Sequence, residues 1–157
     1  MAIALRTFAD DDLDALFEWE SDPRAVRMAA FTRADPSDRG AFDAHYERVR
    51  SNPSNTLLAI DNDGEFVGTV SSFTVEGRRE VSYWIAPARW GRGLASQALQ
   101  ALLELEPVRP LYGRVAEHNG GSAKVLARAG FVEVGSDTGF APGLGVEVVE
   151  RIYRLDQ

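Results

Sequence analysis

The stretch Trp90-Gly91-Arg92-Gly93-Leu94-Ala95-Ser96 decides how this chain folds. Before it, Glu80 to Ile85 is rich in Val, Tyr, Trp and Ile, residues that favour a strand. After it, apolar residues recur at Leu94, Ala98 and Leu102 and at Ala95, Leu99 and Leu103, which is helical spacing. A glycine-containing turn therefore opens straight onto a helix N-terminus. Unpaired backbone N–H groups converge there, and the helix dipole adds partial positive charge. Such a place holds phosphate. Between Val81 and Leu103 the chain carries Arg89 and Arg92 and no acid, against a net charge of -7 for the whole.

Two common nucleotide motifs do not fit. A P-loop ends in Gly-Lys-Ser/Thr, whereas Gly93 is followed by Leu94 and Ala95. A dinucleotide fingerprint needs GxGxxG, and Ser96 stands at its third glycine. A second element lies downstream. Leu111 to Val115 reads as a short strand, followed by His118-Asn119-Gly120-Gly121-Ser122 and a helix carrying Val125, Leu126 and Ala129. Asn119 suits an N-cap, and Gly130 suits the left-handed residue that ends a helix.

The order strand, Pro-x-x-Trp-Gly-Arg-Gly-Leu-Ala, helix, strand, Asn-x-x-Ser, helix, Gly-Phe, strand resembles the GNAT acetyltransferase superfamily. Within it, the chain is most similar to the branch of ribosomal-protein N-terminal (alanine/serine) acetyltransferases. The opening Leu5-Arg6-Thr7-Phe8, with acids from Asp10 to Asp14, fits that branch. One departure stands out. The superfamily pattern begins with Gln or Arg where this chain has Trp90, so the loop loses one polar side chain.

Composition bounds the rest. A chain of 157 residues makes one domain, 1–157, large enough for a real core. It is 45% hydrophobic and 26% charged, ordinary for a globular protein. With no cysteine there is no disulfide framework, thiolate nucleophile or zinc–thiolate site, and two histidines do not make a multi-His metal centre. No apolar run reaches membrane-spanning length, and the N-terminus lacks a signal-peptide pattern; a cytoplasmic location is expected. The pI near 4.8 argues against nucleic acid as a partner and is compatible with a cationic substrate.

Along the chain, Ile3 to Phe8 reads as a strand, Asp10 to Glu20 as a helix, and Asp22 to Arg39 as a stretch broken by Pro23 and Pro36. A second helix runs from Ser37 or Asp38 to about Val49. Thr56 to Ile60 is a strand, and Asp61-Asn62-Asp63-Gly64 is a hairpin turn. Phe66 to Val75 is the next strand, and Gly77-Arg78-Arg79 turns into the strand from Glu80. Phe131 to Gly135 and Val146 to Leu155 form a final pair, joined by a glycine-rich, mobile connection from Ser136 to Gly145. The expected class is α+β: a single mixed, mostly antiparallel sheet with helices on both faces. That is the fold the resemblance implies.

The resemblance also implies chemistry: acetyl transfer from acetyl-coenzyme A to a primary amine by direct attack in a ternary complex. The loop Trp90, Gly91, Arg92, Gly93, Leu94, Ala95, Ser96 would hold the pyrophosphate, with Arg92 or Arg89 and Lys124 nearby. The pantetheine arm would lie along Tyr83, Trp84 and Ile85, where that strand splays from the next. A backbone N–H near Ile85 would face the thioester oxygen. Glu80 is the leading base, acting through water, with Glu147 and His118 as fallbacks. Its bland alternative is a strand carboxylate paired with Arg78 or Arg79. Ser122 replaces the tyrosine that many members use as acid, and its bland alternative is a first-turn serine satisfying its own helix. Asn119 would both cap and contact the coenzyme. The acceptor could be a protein N-terminus or a small-molecule amine, its entrance bordered by Arg24 to Asp38 and Ser136 to Gly145. The alternative in another class is a non-catalytic acyl-coenzyme A-binding regulatory domain. Monomer and homodimer are both compatible with the sequence.

Overall fold

The computed structural model describes residues 2–157. Seven strands form one sheet: β1 Ile3–Thr7, β2 Thr56–Asn62, β3 Glu65–Val75, β4 Arg78–Ile85, β5 Leu111–Ala116, β6 Val132–Ala141 and β7 Val146–Leu155. Their order across the sheet is β1-β2-β3-β4-β5-β7-β6. Each neighbouring pair is antiparallel except β4 and β5, which run parallel. Five helices complete the fold: α1 Leu13–Ser21, α2 Pro23–Ala29, α3 Arg39–Ser51, α4 Leu94–Leu105 and α5 Gly120–Arg128.

Strand alternation divides the core between two faces. Val81 and Ile85 of β4 pack with Leu94, Leu99 and Leu102 of α4 and Leu126 of α5. Trp84, on the opposite face, packs against the cluster of Phe8, just after β1, Leu16 of α1, and Phe42 and Tyr46 of α3. The three α4 leucines are each no more than 2% exposed. Burying each contributes roughly 2 kcal/mol, so the helix whose N-terminus follows Gly93 is held firmly on the sheet.

The feature that positions the site is a split in this sheet. β4 and β5 pair only at Arg79↔Leu111, Glu80↔Tyr112 and Val81↔Gly113. Beyond that point β4 stays with β3 as far as Gly68↔Ile85, and β5 stays with β7 as far as Ala116↔Glu150. Two glycines permit the parting. A Cβ on Gly68 would lie 2.2 Å from the Trp84 carbonyl oxygen, so β3 presses on β4 there. A Cβ on Gly113 would lie 2.7 Å from Leu126, so α5 sits directly on β5 where the split begins.

Three expectations need correction. Pro23 starts a helix instead of breaking one: it occupies the first turn of α2, and the Asp22 carboxylate caps it by accepting from the Arg24 N–H at 2.9 Å. A missing N–H costs nothing in a first turn. Three helices therefore lie between β1 and β2 where two were expected. The turn before β4 is centred on Glu76 and Gly77, at φ 50° and 80°, and Arg78 and Arg79 already belong to the strand. Most of Ser136–Gly145 is not a loop. β6 pairs with β7 from Val132↔Arg154 to Ala141↔Val146, and the ladder overrides the low strand propensity of Gly139. The remaining turn is fastened to α2: the Gly143 N–H donates to the Ala30 carbonyl at 2.8 Å, and a Cβ on Gly143 would lie 2.4 Å from the Val26 oxygen.

Candidate active site

The splayed strands enclose two connected cavities. The larger, about 460 Å³, is lined by Trp90–Ser96, by Asn119–Ser122 and by Met28. Gly91 and Gly93 stand at φ 79° and 74°; a Cβ on Gly91 would meet nothing within 4 Å, and one on Gly93 only Gln97 Nε2, at an unstrained 3.8 Å. Their requirement is conformational: an L side chain avoids the left-handed region. Gly93 is the N-cap of α4 and has no side chain to cap it, so the first-turn N–H groups stay open to the cavity. A helix start of this kind attracts an anion.

The arginines divide. Arg89 pairs with Glu65 on β3. Arg92 is exposed and forms no ion pair among the described residues. Lys124 and Arg128 also line this cavity. Arg128 escaped sequence reasoning, because one arginine at a helix end looks like any solvated cation. Trp90 explains the departure from the superfamily pattern: its indole N–H donates to the Ile85 carbonyl at 3.0 Å and ties the loop to the end of β4.

Along the inner wall, the Ala86 N–H donates to the Val67 carbonyl at 2.9 Å, toward β3. Successive amides of a strand alternate sides, so the Ile85 N–H points the other way, into the cleft, as does that of Tyr83. Those are the free main-chain groups that a peptide-like pantetheine arm requires.

The second cavity, about 310 Å³, is lined by Phe31, Phe73, Glu80, Arg114 and Glu150. It meets the first at Ala29, Tyr83, Trp84, Asn119 and Ser122, which line both. Glu80 does not pair with its neighbours in sequence. Arg79 is turned to Glu106 at 2.8 Å, and the Arg78 guanidinium lies over the Tyr112 ring at 4.7 Å. Burial pushes the Glu80 carboxyl above the ordinary range, opposed by Arg114 and assisted by Glu150. Arg114 is itself engaged, its Nε donating to Glu150 at 2.8 Å and an Nη to Asp137 at 2.7 Å.

Ser122 is capped through its N–H by the Asn119 side chain at 3.1 Å. Its hydroxyl meets the Tyr83 hydroxyl at 2.7 Å. Among the described residues the Ser122 side chain makes no bond to its own helix. The two fallback bases lie outside both cavities. His118 is exposed and contacts the Arg27 carbonyl at 2.8 Å, and Glu147 is exposed on β7. No helix among the described residues is long and apolar enough to cross a membrane.

The site is thus a helix N-terminus behind two left-handed glycines, beside a parallel strand pair that parts over free amides. The model of the "Acetyltransferase (GNAT) domain" family matches residues 3–132, and the chain belongs to that family. It is 32% identical over 151 residues to YwnH of Bacillus subtilis (strain 168), whose full name is "Putative phosphinothricin acetyltransferase YwnH", covering 88% of this chain and 90% of that protein. Its fold is shared with Vibrio cholerae spermidine N-acetyltransferase, solved in complex with CoA and spermine (TM-score 0.79, 19% identity, 96% and 94% of the two chains). It is also shared with RimL, a ribosomal L7/L12 alpha-N-protein acetyltransferase solved with coenzyme A (TM-score 0.81, 18% identity, 98% and 93%). The chain is thus an acetyltransferase by family.

Proposed function

We propose that this enzyme moves an acetyl group from acetyl-CoA to a primary amine by direct attack in a ternary complex, across the junction of the two cavities. The observation that carries this is that Glu80 and Ser122 line one cavity, beside the point where β4 and β5 part. Acetyl-CoA supplies the activated acetyl group. Trp90 to Ser96 bind its pyrophosphate with main-chain N–H groups, aided by Arg92. The free amides of Tyr83 and Ile85 orient the pantetheine arm. The Ile85 N–H faces the carbonyl oxygen as charge develops there.

The attacking amine must be neutral. An α-amine has a pKa of about 7.7–8.0 and a lysine about 10.4. Glu80 takes the proton, directly or through one water. Its raised carboxyl suits this task better than an ordinary glutamate, because a base works best with a pKa near the working pH. Ser122 donates a hydrogen bond to the sulfur as the bond to carbon breaks.

The acceptor cavity also favours one charge. Glu80 and Glu150 line it with one cation, Arg114, which Glu150 and Asp137 already occupy. An acceptor carboxylate would meet unneutralised acid, whereas a cationic or neutral body would not. The acceptor is therefore an amine without a free carboxylate beside it. Thiol release from acetyl-CoA, measured against N-terminal peptides, polyamines and free amino acids with Glu80→Gln alongside, tests both points. Turnover of a peptide or polyamine, lost in the variant, supports them. Preference for free amino acids overturns the charge argument, and full activity in the variant removes Glu80 from the mechanism.

A further inference from the structure

Tyr83 and Ser122 share a hydrogen bond at the point where both cavities meet, yet only Ser122 has been given work there. The Tyr83 hydroxyl lies 2.7 Å from Ser122 Oγ and 3.0 Å from the Ser122 carbonyl oxygen. Tyr83 enters from β4, and its ring packs against the core cluster that anchors α4 and α5. Asn119 accepts from the Ser122 N–H, and the serine hydroxyl meets Tyr83 instead of its own helix.

Counting protons shows what the tyrosine can control. Each hydroxyl holds one proton and can accept. If the phenol donates to the Ser122 carbonyl, the serine proton is drawn back toward the phenol oxygen. If the phenol donates to Ser122 Oγ, the shorter contact, the serine proton is displaced from that line and turns into the shared cavity. Only the second arrangement leaves a donor for a leaving sulfur.

We propose that Tyr83 is a positioning residue for acetyl transfer: by donating to Ser122 Oγ, it turns the serine hydroxyl proton toward the coenzyme sulfur. This rests on the acetyl-transfer function proposed above. In the step it serves, a nitrogen–carbon bond forms and the carbon–sulfur bond breaks. The bonding pair stays on sulfur, and the amine proton goes to Glu80. Sulfur receives a hydrogen bond from Ser122, and Ser122 receives one from Tyr83. The thiolate takes its full proton from water on release. Tyr83 keeps its own proton throughout. Burial pushes its phenol up to about 12, and outright transfer to a thiolate of ordinary pKa, about 8.5, is disfavoured by roughly a thousandfold. The chain of two donors polarises in one direction, so each bond strengthens the other.

Tyr83→Phe keeps the ring and removes only the hydroxyl. Kinetics are measured for wild type, Tyr83→Phe, Ser122→Ala and the double variant, with CoA affinity by calorimetry and thermal unfolding alongside. Loss of one such bond lowers kcat roughly threefold to tenfold, while the CoA dissociation constant stays within about twofold. Ser122→Ala lowers kcat at least as far, and the double variant falls no further than Ser122→Ala, because Tyr83 acts through that hydroxyl. Wild-type kcat in Tyr83→Phe, or losses that multiply in the double variant, overturns the proposal. A fall in CoA affinity or melting temperature that accounts for the lost rate makes Tyr83 merely structural and overturns it as well. If the wild type binds CoA yet releases no thiol with any amine, the parent function fails and this proposal with it.

Discussion

At the end of the cleft proposed for the coenzyme, the wall includes a turn and two helix starts. One unbroken loop, Trp90–Ser96, and one helix start, Asn119–Ser122, present backbone N–H groups, with two glycines at positive φ to shape the turn. At the acceptor end the walls are side chains from Phe31, Phe73, Glu80, Arg114 and Glu150, each carried by a different segment. Main-chain groups are the same whatever the residue, so such an end suits a constant ligand and is compatible with a departure such as Trp90. The second end can change its preference one side chain at a time without disturbing the first. Likeness of fold accordingly does not name the acceptor.

The largest effect expected on this contrast comes from the acceptor end. Glu80→Gln should lower kcat/KM by about 10²–10⁴ near neutral pH. The deficit should shrink as pH rises through the acceptor's own pKa, where the amine needs no base. Stability should move the other way. A carboxyl whose folded pKa is raised stabilises the fold only in its protonated form, and that contribution is lost as pH rises through the folded pKa. The amide escapes this loss. Melting temperatures compared at pH 8 should favour the variant, with the gap closing below the ordinary glutamate pKa of about 4.3. A variant that is inactive and also less stable at pH 8 would show that Glu80 is structural.

The coenzyme end should respond to conformation instead of chemistry. Gly93→Ala places a Cβ in unstrained contact with Gln97 Nε2 at 3.8 Å but at φ 74°. The left-handed region costs an L residue about 1–2 kcal/mol, which is about tenfold in affinity if the bound loop must keep its shape. Calorimetry with CoA should register that loss, while KM for the amine stays nearly constant. An equal loss at both substrates would mean the two ends are not separable, and the contrast between them would collapse.

The same contrast explains what could be read in advance. The structure of Trp90–Ser96 was legible because it is local: turn, glycines and helix start are consecutive. The hairpin at Asp61–Gly64 was legible for the same reason, and Asp63 and Gly64 take the expected positive φ. Asn119 announced its cap through one residue type at one position. The acceptor cavity has no such signature, because Phe31, Phe73, Arg114 and Glu150 meet only after the sheet has ordered its strands. Glu150 reaches the site because β7 lies between β5 and β6, an order no local pattern dictates. The contact between Tyr83 and Ser122, 39 residues apart, is equally non-local. Pro23 and Gly139 misled for a different cause. Each is a breaker in the middle of an element and harmless where it stands: Pro23 in a first helical turn, Gly139 in a strand held by its ladder.

The smallest effect tests whether the acceptor end stores strain that the coenzyme end avoids. Where the loop before α4 needs positive φ it uses glycine, but beside Phe31 the chain uses Ala30 at φ 66° and ψ -53°. The Phe31 N–H donates to the Ala29 carbonyl at 2.7 Å across it, closing a γ-turn of the rare, strained hand. Two bonds lock it there, from the Ala30 N–H to Val26 at 2.9 Å and from the Gly143 N–H to Ala30 at 2.8 Å. Strain of this kind is worth about 1–3 kcal/mol. Ala30→Gly would release it, losing about 0.4–1 kcal/mol to unfolded-chain entropy and about 0.8 kcal/mol with the buried methyl. The sum is near zero. Ala98, equally buried but inside α4, has no strain to release, so Ala98→Gly should cost about 2 kcal/mol. Urea unfolding of the two variants side by side should therefore show a clear loss at Ala98 and little at Ala30. Equal losses would mean that Ala30 sits at ease in its turn, and that the acceptor wall is no more strained than the coenzyme loop.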